Sequence, residues 1–398
     1  MSRTGANKAQ CRTITILGST GSIGVNTLDV IAQMGGRQAF EVVALTGNAN
    51  VDLLARQAVE SSAKLAVTAD DKCYLSLKQA LAGKPVAVAA GRSGLVEAAS
   101  LQADCTMAAI VGIAGLEPTL VAARRGGVLA LANKECLVAA GPLFMDAVRQ
   151  GGTTLLPVDS EHSAIFQTLE ASQRHALERI ILTASGGPFR TWPMHKMADV
   201  TAASARNHPN WSMGLKISIG SATLFNKALE IIEAVHLFSV RPDQIEVIVH
   251  PQSIIHSMVG YSDGSVLAQL GTPDMRTAIG YALGWPRRQK LDVERLDFAK
   301  LSQLDFEAPD ETRFPALRLA RIALARGGMQ SAVLNGAEET ACAAFVEGRT
   351  GFLQIAEITE KVMDALIAIE PATTIQQLLA ADAEARRLAG ELIGKNQA

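Results

Sequence analysis

The chain reads as an α/β protein followed by an all-helical tail, and three observations carry that reading. Up to about residue 150, short β-rich runs alternate with amphipathic helical stretches. A glycine-rich loop stands directly after the first of those runs. From Pro315 onward the apolar spacing is helical, with no strand pattern. Strands alternating with helices imply a mostly parallel sheet covered by helices on both faces.

The strand runs fall at 13–17, 40–45, 65–68, 86–89, 107–111 and 128–131, with helical spacing at 26–34, 51–59 and 135–150 between them. After Gly151 the texture changes. Strands at 153–158 and 180–183 lead into 185–216, a stretch of weak periodicity holding Gly186-Gly187-Pro188, Trp192-Pro193 and His208-Pro209-Asn210-Trp211. A loop this long inside a compact domain is disordered or functional. Its two tryptophans and a histidine favour a lid over 186–216, since plain linkers carry few large aromatics.

A helix opened by Ser221 as its N-cap follows, with Leu224, Phe225, Ala228, Ile231, Ile232 and Val235 on its core face. A strand at 245–249 and a hairpin, 257–261 with 266–270 around Ser262-Asp263-Gly264, complete this part. The expected domains are a dinucleotide-binding domain at 1–150, an α+β catalytic domain at 151–285, a linker at 286–312 and a C-terminal helical domain at 313–398.

Composition narrows the function. A chain of 398 residues exceeds one hydrophobic core, and 48% apolar with 4% aromatic content means that aliphatic side chains fill the cores. A net charge of −2 offers no footprint for nucleic acid or a membrane surface, so any anion site must be local. No apolar run approaches the roughly 18 residues of a membrane helix. The polar stretch 1–12 lacks the apolar centre of a signal peptide. Five scattered cysteines (Cys11, Cys73, Cys105, Cys136, Cys342) without a CxxC pair read as reduced thiols, so a cytoplasmic location is expected.

The glycine loop is Gly18-Ser19-Thr20-Gly21-Ser22-Ile23-Gly24. Placed between a first strand and a helix, it lets backbone amides and a helix N-terminus approach a pyrophosphate, the mark of a Rossmann-like domain. The second strand ends at Asn48-Ala49-Asn50 with no acidic residue, which favours NADP over NAD. Asn133-Lys134-Glu135 follows the strand 128–131 at a carboxyl end, where open α/β sheets bind ligands. Lys134 suits a substrate oxyanion, while Glu135 reads equally well as an ordinary acid opening a helix.

Asp159 and Glu161 flank Ser160 at the end of the run 153–158, and Glu230 lies far downstream. In extended chain an Asp-x-Glu pair points both acids to one face. Hard divalent cations take few protein carboxylates and keep positions for substrate oxygens. Alone, such a pair is a solvated strand end, and Lys227 with Glu230 is an i,i+3 surface ion pair. Ser221 at a helix start suits a phosphate, whereas His208 by itself reads as structural.

Taken together the motifs resemble one family closely. Gly18 to Gly24, Ala132-Asn133-Lys134-Glu135, Pro157-Val158-Asp159-Ser160-Glu161-His162, Ala184-Ser185-Gly186-Gly187-Pro188-Phe189-Arg190, His208-Pro209-Asn210-Trp211-Ser212-Met213-Gly214, Ser221-Ala222-Thr223 with Asn226-Lys227, and His250-Pro251-Gln252-Ser253 occur in the order found in 1-deoxy-D-xylulose 5-phosphate reductoisomerases. The resemblance spans nearly the whole chain. It implies conversion of 1-deoxy-D-xylulose 5-phosphate, a small phosphorylated sugar, to 2-C-methyl-D-erythritol 4-phosphate with NADPH and Mg²⁺ or Mn²⁺, with Co²⁺ a substitute, by a homodimer. It also implies a role for each motif residue: Asp159, Glu161 and Glu230 as metal ligands, and these with Lys134 as the catalytic set. The substrate would be held by Lys134, Ser160, Glu161, Ser185, His208, Trp211, Ser221, Asn226, Lys227 and Glu230. The dinucleotide would lie on Thr20, Gly21, Ser22, Ile23, Asn48, Ala49, Asn50, Asn133, Glu135 and Gly214.

Five positions depart from the family pattern: Gly220 replaces Asp or Asn, Cys136 a common serine, Ala49 a frequent basic residue, and in the tail Gly336 an alanine and Glu338 an asparagine. The residues alone leave two other readings. A semialdehyde dehydrogenase would share the glycine-rich start and need Cys136 as its thiolate. A non-catalytic NADP-binding relative would have dropped one of Lys134, Asp159, Glu161 or Glu230, and all four are present.

Overall fold

A computed structural model describes residues 11–206, 214–367 and 370–395. Two compact units divide the chain, and the division does not follow linear order. The first takes Met1–Asn133, Ala147–Val158 and Met275–Val293; the second takes Lys134–Asp146, Asp159–Asp274 and Glu294–Ala398.

The first unit is built on seven strands: β1 (Arg12–Leu17), β2 (Phe40–Gly47), β3 (Leu65–Thr68), β4 (Ala87–Ala90), β5 (Cys105–Ala108), β6 (Val128–Leu131) and β7 (Thr154–Pro157). They pair in the order β4-β3-β2-β1-β5-β6-β7, every pair parallel. The central strands are buried along nearly their whole length, as a sheet covered on both faces requires. The order reverses direction at β1 and β5, so the carboxyl end of β1 opens onto the crevice where such sheets bind ligands. The fifth strand stops at Ala108, short of the expected 111, because a 3₁₀ turn at Ile113–Gly115 takes over near Gly112.

The second unit holds four strands: β8 (Leu177–Ala184), β9 (Ile245–Val249), β10 (Ile255–Tyr261) and β11 (Val266–Leu270). Their order is β11-β10-β8-β9, with β10 and β11 forming the expected antiparallel hairpin and β9 parallel to β8. The helix Ser160–Thr168 packs on β10 and β11. Helix Phe225–Phe238 packs on Ala316–Arg326, the first of the C-terminal helices that include Gln330–Val346, Gln354–Ala365 and Ile375–Lys395. Its core runs from Ile180 and Leu182 through Phe225, Ile231 and Ile232 to Leu317, Val333 and Ile358.

Three local expectations change. The stretch 185–216 is not featureless: Met194–Met197 and Ala202–Ala205 are short helices, the latter closed by a Thr201–Ser204 capping box. Ser221 does not open a helix. It lies in the last turn of Leu215–Ala222, and the next helix is preceded by Leu224 in left-handed backbone, φ 61°. Asp159 and Glu161 do not share a strand face: Asp159, in extended backbone, is the N-cap of Ser160–Thr168, and Glu161 lies in that helix's first turn.

Candidate active site

Lys134, Asp159, Ser160, Glu161, Asn226, Lys227 and Glu230 all belong to the second unit and come together there. The Asp159 carboxylate accepts from the backbone N–H of Glu161 at 3.1 Å and of His162 at 3.3 Å, which caps the helix and fixes the acid's direction. Glu161 then sits in the first turn, and Ser160 Oγ donates to its Oε2 at 2.6 Å. Helix Phe225–Phe238 brings Asn226, Lys227 and Glu230 onto adjacent turns, with Asn226 Nδ2 donating to Glu230 Oε1.

Two ammonium groups neutralise the acids. Lys134 Nζ spends its three donors on Asp159 Oδ2 at 2.9 Å, Asn226 Oδ1 at 2.9 Å and Glu230 Oε1 at 3.2 Å. Lys227 Nζ pairs with Glu161 Oε1 at 3.2 Å and with Glu230 Oε2. Glu230 is fully buried, so the expected surface ion pair with Lys227 is instead an interior one.

Burial works against charge at Asp159, but the Lys134 ammonium and the His162 ring outweigh it and hold this carboxyl well below the usual range. At Glu161 burial prevails: opposed by Lys227 and aided by Glu230, it pushes the carboxyl up to about 7. Burial likewise opposes charge on Lys134, yet Asp159 and Glu230 keep it well above the ordinary lysine value.

Oxygens of Asp159, Glu161 and Glu230 lie within 4.8 Å of one another. Around an octahedral ion with bonds of about 2.1 Å, opposite oxygens stand ~4.2 Å apart, so a small inward rotation gathers all three. All three donors are hard carboxylate oxygens, which suits Mg²⁺ or Mn²⁺ and not a thiophilic metal.

Elsewhere in the second unit, Ser185 Oγ lies 3.4 Å from Ser221 Oγ and accepts from the Gly187 amide at 3.2 Å. Gly187, at φ 69°, passes so close to the Leu215–Ala222 helix that a Cβ would sit 2.7 Å from the Ser221 carbonyl oxygen. Gly214 precedes that helix and is exposed. Expected site residues His208 and Trp211 lie outside the described residues.

In the first unit, Thr20, Gly21, Ser22 and Ile23 follow β1 and open the helix Ser22–Gln33. The Gly18 N–H donates to Thr46 Oγ1 and the Ser19 N–H to the Thr46 carbonyl, which ties this loop to the end of β2. Asn48, Ala49 and Asn50 stand exposed just beyond it, and Asn50 caps Val51–Ser61. Asn133 is buried, its amide donating to the Gly112 carbonyl at 2.9 Å. Glu135 belongs to the second unit, where it accepts from Lys216.

Sequence reasoning missed Lys216, which bridges Glu135 and Glu339, and the pair His162 and Glu233. The available signal was charge inside a buried helix. Phe225–Phe238 buries Glu230, Glu233 and Lys227 among apolar neighbours, and such acids persist when something pairs them.

Comparison with known proteins identifies the family. Residues 14–141 match the family 1-deoxy-D-xylulose 5-phosphate reductoisomerase, 155–238 its C-terminal domain, and 270–388 the DXP reductoisomerase C-terminal domain. The reductoisomerase of Rhizobium rhizogenes strain K84 is 69% identical over 386 residues, 97% of each chain. That of Sinorhizobium fredii is 69% identical over 382 residues, covering 96% of this chain and 98% of the relative. Among solved structures, the Zymomonas mobilis enzyme in complex with NADPH superposes with a TM-score of 0.91 at 54% identity, covering 96% of this chain and 99% of that one. A DOX-P reductoisomerase in complex with NADPH, fosmidomycin and magnesium gives 0.93 at 41% identity, covering 97% and 99%. The chain belongs to the 1-deoxy-D-xylulose 5-phosphate reductoisomerase family.

Proposed function

We propose that this protein converts 1-deoxy-D-xylulose 5-phosphate to 2-C-methyl-D-erythritol 4-phosphate in non-mevalonate isoprenoid synthesis, using NADPH and a divalent cation. The observation that carries the proposal is the convergence of three carboxylates and two ammonium groups in one side-chain cluster of the second unit. Asp159, Glu161 and Glu230 would hold Mg²⁺, or Mn²⁺ or Co²⁺ in its place. Such an ion, when bound, supplies Lewis acidity toward a carbonyl and stabilises developing alkoxide charge.

The chain's own groups do the rest. Lys134 and Lys227 pair with the buried acids and would turn N–H donors to substrate oxygens as these arrive, while Ser160 and Asn226 hydrogen-bond Glu161 and Glu230. The paired hydroxyls of Ser185 and Ser221, with His208, would receive the substrate phosphate. The stretch 186–216 would act as the lid, with Trp211 over the substrate, excluding water and strengthening each charge interaction beneath it.

NADPH supplies the hydride. Residues 1–150, the proposed dinucleotide-binding domain, offer the glycine loop. A Cβ on Gly24 would strike the Gly18 carbonyl oxygen at 2.3 Å, whereas one on Gly21 would meet only that oxygen at 3.6 Å. Gly24 is therefore needed for packing, and Gly21 is open to a pyrophosphate. Asn48, Ala49 and Asn50 carry no acid to repel a 2′-phosphate, and Asn133, Glu135 and Gly214 would complete the cofactor contacts. Residues 151–285 would form the catalytic domain, joined by 286–312 to the helical domain 313–398. The enzyme would work as a cytoplasmic homodimer; no helix among the described residues is long and apolar enough to cross a membrane.

The test is NADPH oxidation followed at 340 nm with 1-deoxy-D-xylulose 5-phosphate and Mg²⁺. Turnover should vanish with EDTA and return with Mn²⁺. Oxidation that persists under chelator, or none with this substrate, overturns the proposal.

A further inference from the structure

Behind the carboxylates lies a second pair of buried ionisable groups to which no role has been given. His162 is fully buried and Glu233 is 1% exposed. Both belong to the second unit, one from the helix Ser160–Thr168 and one from Phe225–Phe238.

Their contacts fix what the ring can do. His162 Nε2 lies 3.1 Å from the backbone carbonyl oxygen of Glu230. A carbonyl only accepts, so Nε2 carries hydrogen. The other nitrogen, Nδ1, faces Glu233 Oε2 at 3.2 Å and Asp159 Oδ1 at 3.3 Å. Asp159 Oδ1 already accepts two backbone amides, and its Oδ2 accepts Lys134. Glu233 Oε2 has no other polar partner among the described residues, and His162 Nδ1 faces these two carboxylates. An N–H at Nδ1 set between the two carboxylates satisfies the otherwise unmatched Glu233 Oε2 at 3.2 Å and reaches Asp159 Oδ1 at 3.3 Å. Phe238 stacks against the ring from one side, centroids 6.1 Å apart, which holds its plane.

We propose that Glu233 is a positioning residue for the metal centre: by fixing the His162 ring, it braces Asp159 through Nδ1 and the Glu230 backbone through Nε2. Two of the three carboxylate ligands are thereby held by one imidazole. A buried ionisable pair is a poor way to stabilise a fold, since well-packed apolar residues do as well or better. Outer groups that orient metal ligands, by contrast, are worth roughly 10- to 100-fold in metal affinity when removed.

The inference rests on the metal site proposed above, and the test separates the two. Mn²⁺ alone is titrated into the full chain, with free Mn²⁺ read by its electron paramagnetic resonance signal and NADPH affinity measured in parallel by fluorescence. Glu233→Gln conserves shape and should raise the Mn²⁺ dissociation constant about 10- to 100-fold while NADPH affinity stays within about threefold. His162→Gln should weaken Mn²⁺ binding similarly, and the double variant should be no worse than either single one, because both act through the same ring. Recovery of the His162 variant alone still decides the matter. Metal affinity there within threefold of the parent removes the ring as the brace.

Unchanged Mn²⁺ affinity in Glu233→Gln, additive losses in the double variant, or NADPH affinity falling in step with metal affinity would each overturn the inference. A parent chain that takes up no Mn²⁺ overturns the metal site itself and this inference with it.

Discussion

Glu338 carries the sharpest stability prediction. Its side chain is buried on the helix Gln330–Val346, where Oε1 accepts the Cys342 thiol at 3.0 Å and Oε2 has no hydrogen-bond partner among the described residues. Burial pushes this carboxyl up to about 7, against the Cys342 bond and the Lys216 charge, which pull the other way. The folded chain therefore keeps a proton that the unfolded chain gives up near 4.5. Stability is lost as pH rises from about 4.5 through 7, the reverse of an acid held in a salt bridge. Above that window the loss is the full shift, about 3 kcal/mol, and at pH 5 only about 1 kcal/mol.

Glu338→Gln keeps the shape and removes the charge. It should raise stability by about 3 kcal/mol at pH 8 and about 1 kcal/mol at pH 5, flattening the pH dependence over that range. Urea unfolding followed by far-UV circular dichroism at the two pH values gives both numbers. A variant no more stable than the parent at pH 8, or one whose gain is the same at both values, would refute the reasoning.

Two further outcomes follow from the site. Glu230→Gln removes one proposed anionic ligand and one of the two oxygens that accept from Lys134, Asn226 and Lys227, so kcat/KM should fall at least about 10²-fold in steady-state assays. Near-parental kinetics would return Glu230 to the status of a structural acid. Lys216→Met strands Glu135, whose side chain is only 8% exposed, and leaves Glu339, 12% exposed, with Arg386 as its remaining cation. The cost should be about 2 kcal/mol, below that of a fully buried pair because Lys216 is itself 36% exposed. A urea midpoint equal to the parent's would show that the bridge contributes nothing.

The parallel sheet and the glycine loop were legible because both are local patterns: strands and helices differ in period, and the loop sits between one of each. The hairpin around Ser262-Asp263-Gly264 was legible for the same reason. Residue types at the site were readable too, but not always their geometry. Asp159 and Glu161 face one region because Asp159 caps a helix, and a strand end looks the same as a helix cap until the following turn is seen. Ser221 resembled a cap by composition, whereas the real break comes at Leu224, a residue with no preference for left-handed backbone. His162 and Glu233, or Lys216 and its two acids, meet only after long stretches of chain have folded, so no window of sequence contains the pair. The domain limits were hardest, since proximity along the chain does not say which segments pack together.

That crossing of segments has a consequence for synthesis. Strand β7 and the helix Met275–Gly284, which packs on Ser22–Gln33, both belong to the first unit. The nascent first unit therefore cannot be completed behind the ribosome when its first 133 residues emerge: the outer edge of β6 stays unpaired until β7 follows at Thr154–Pro157, and the segment that packs on Ser22–Gln33 arrives only as translation nears residue 293. A gene cut after residue 150 would encode a lobe missing one strand and one helix, and chaperones would meet this chain as a long unfinished intermediate.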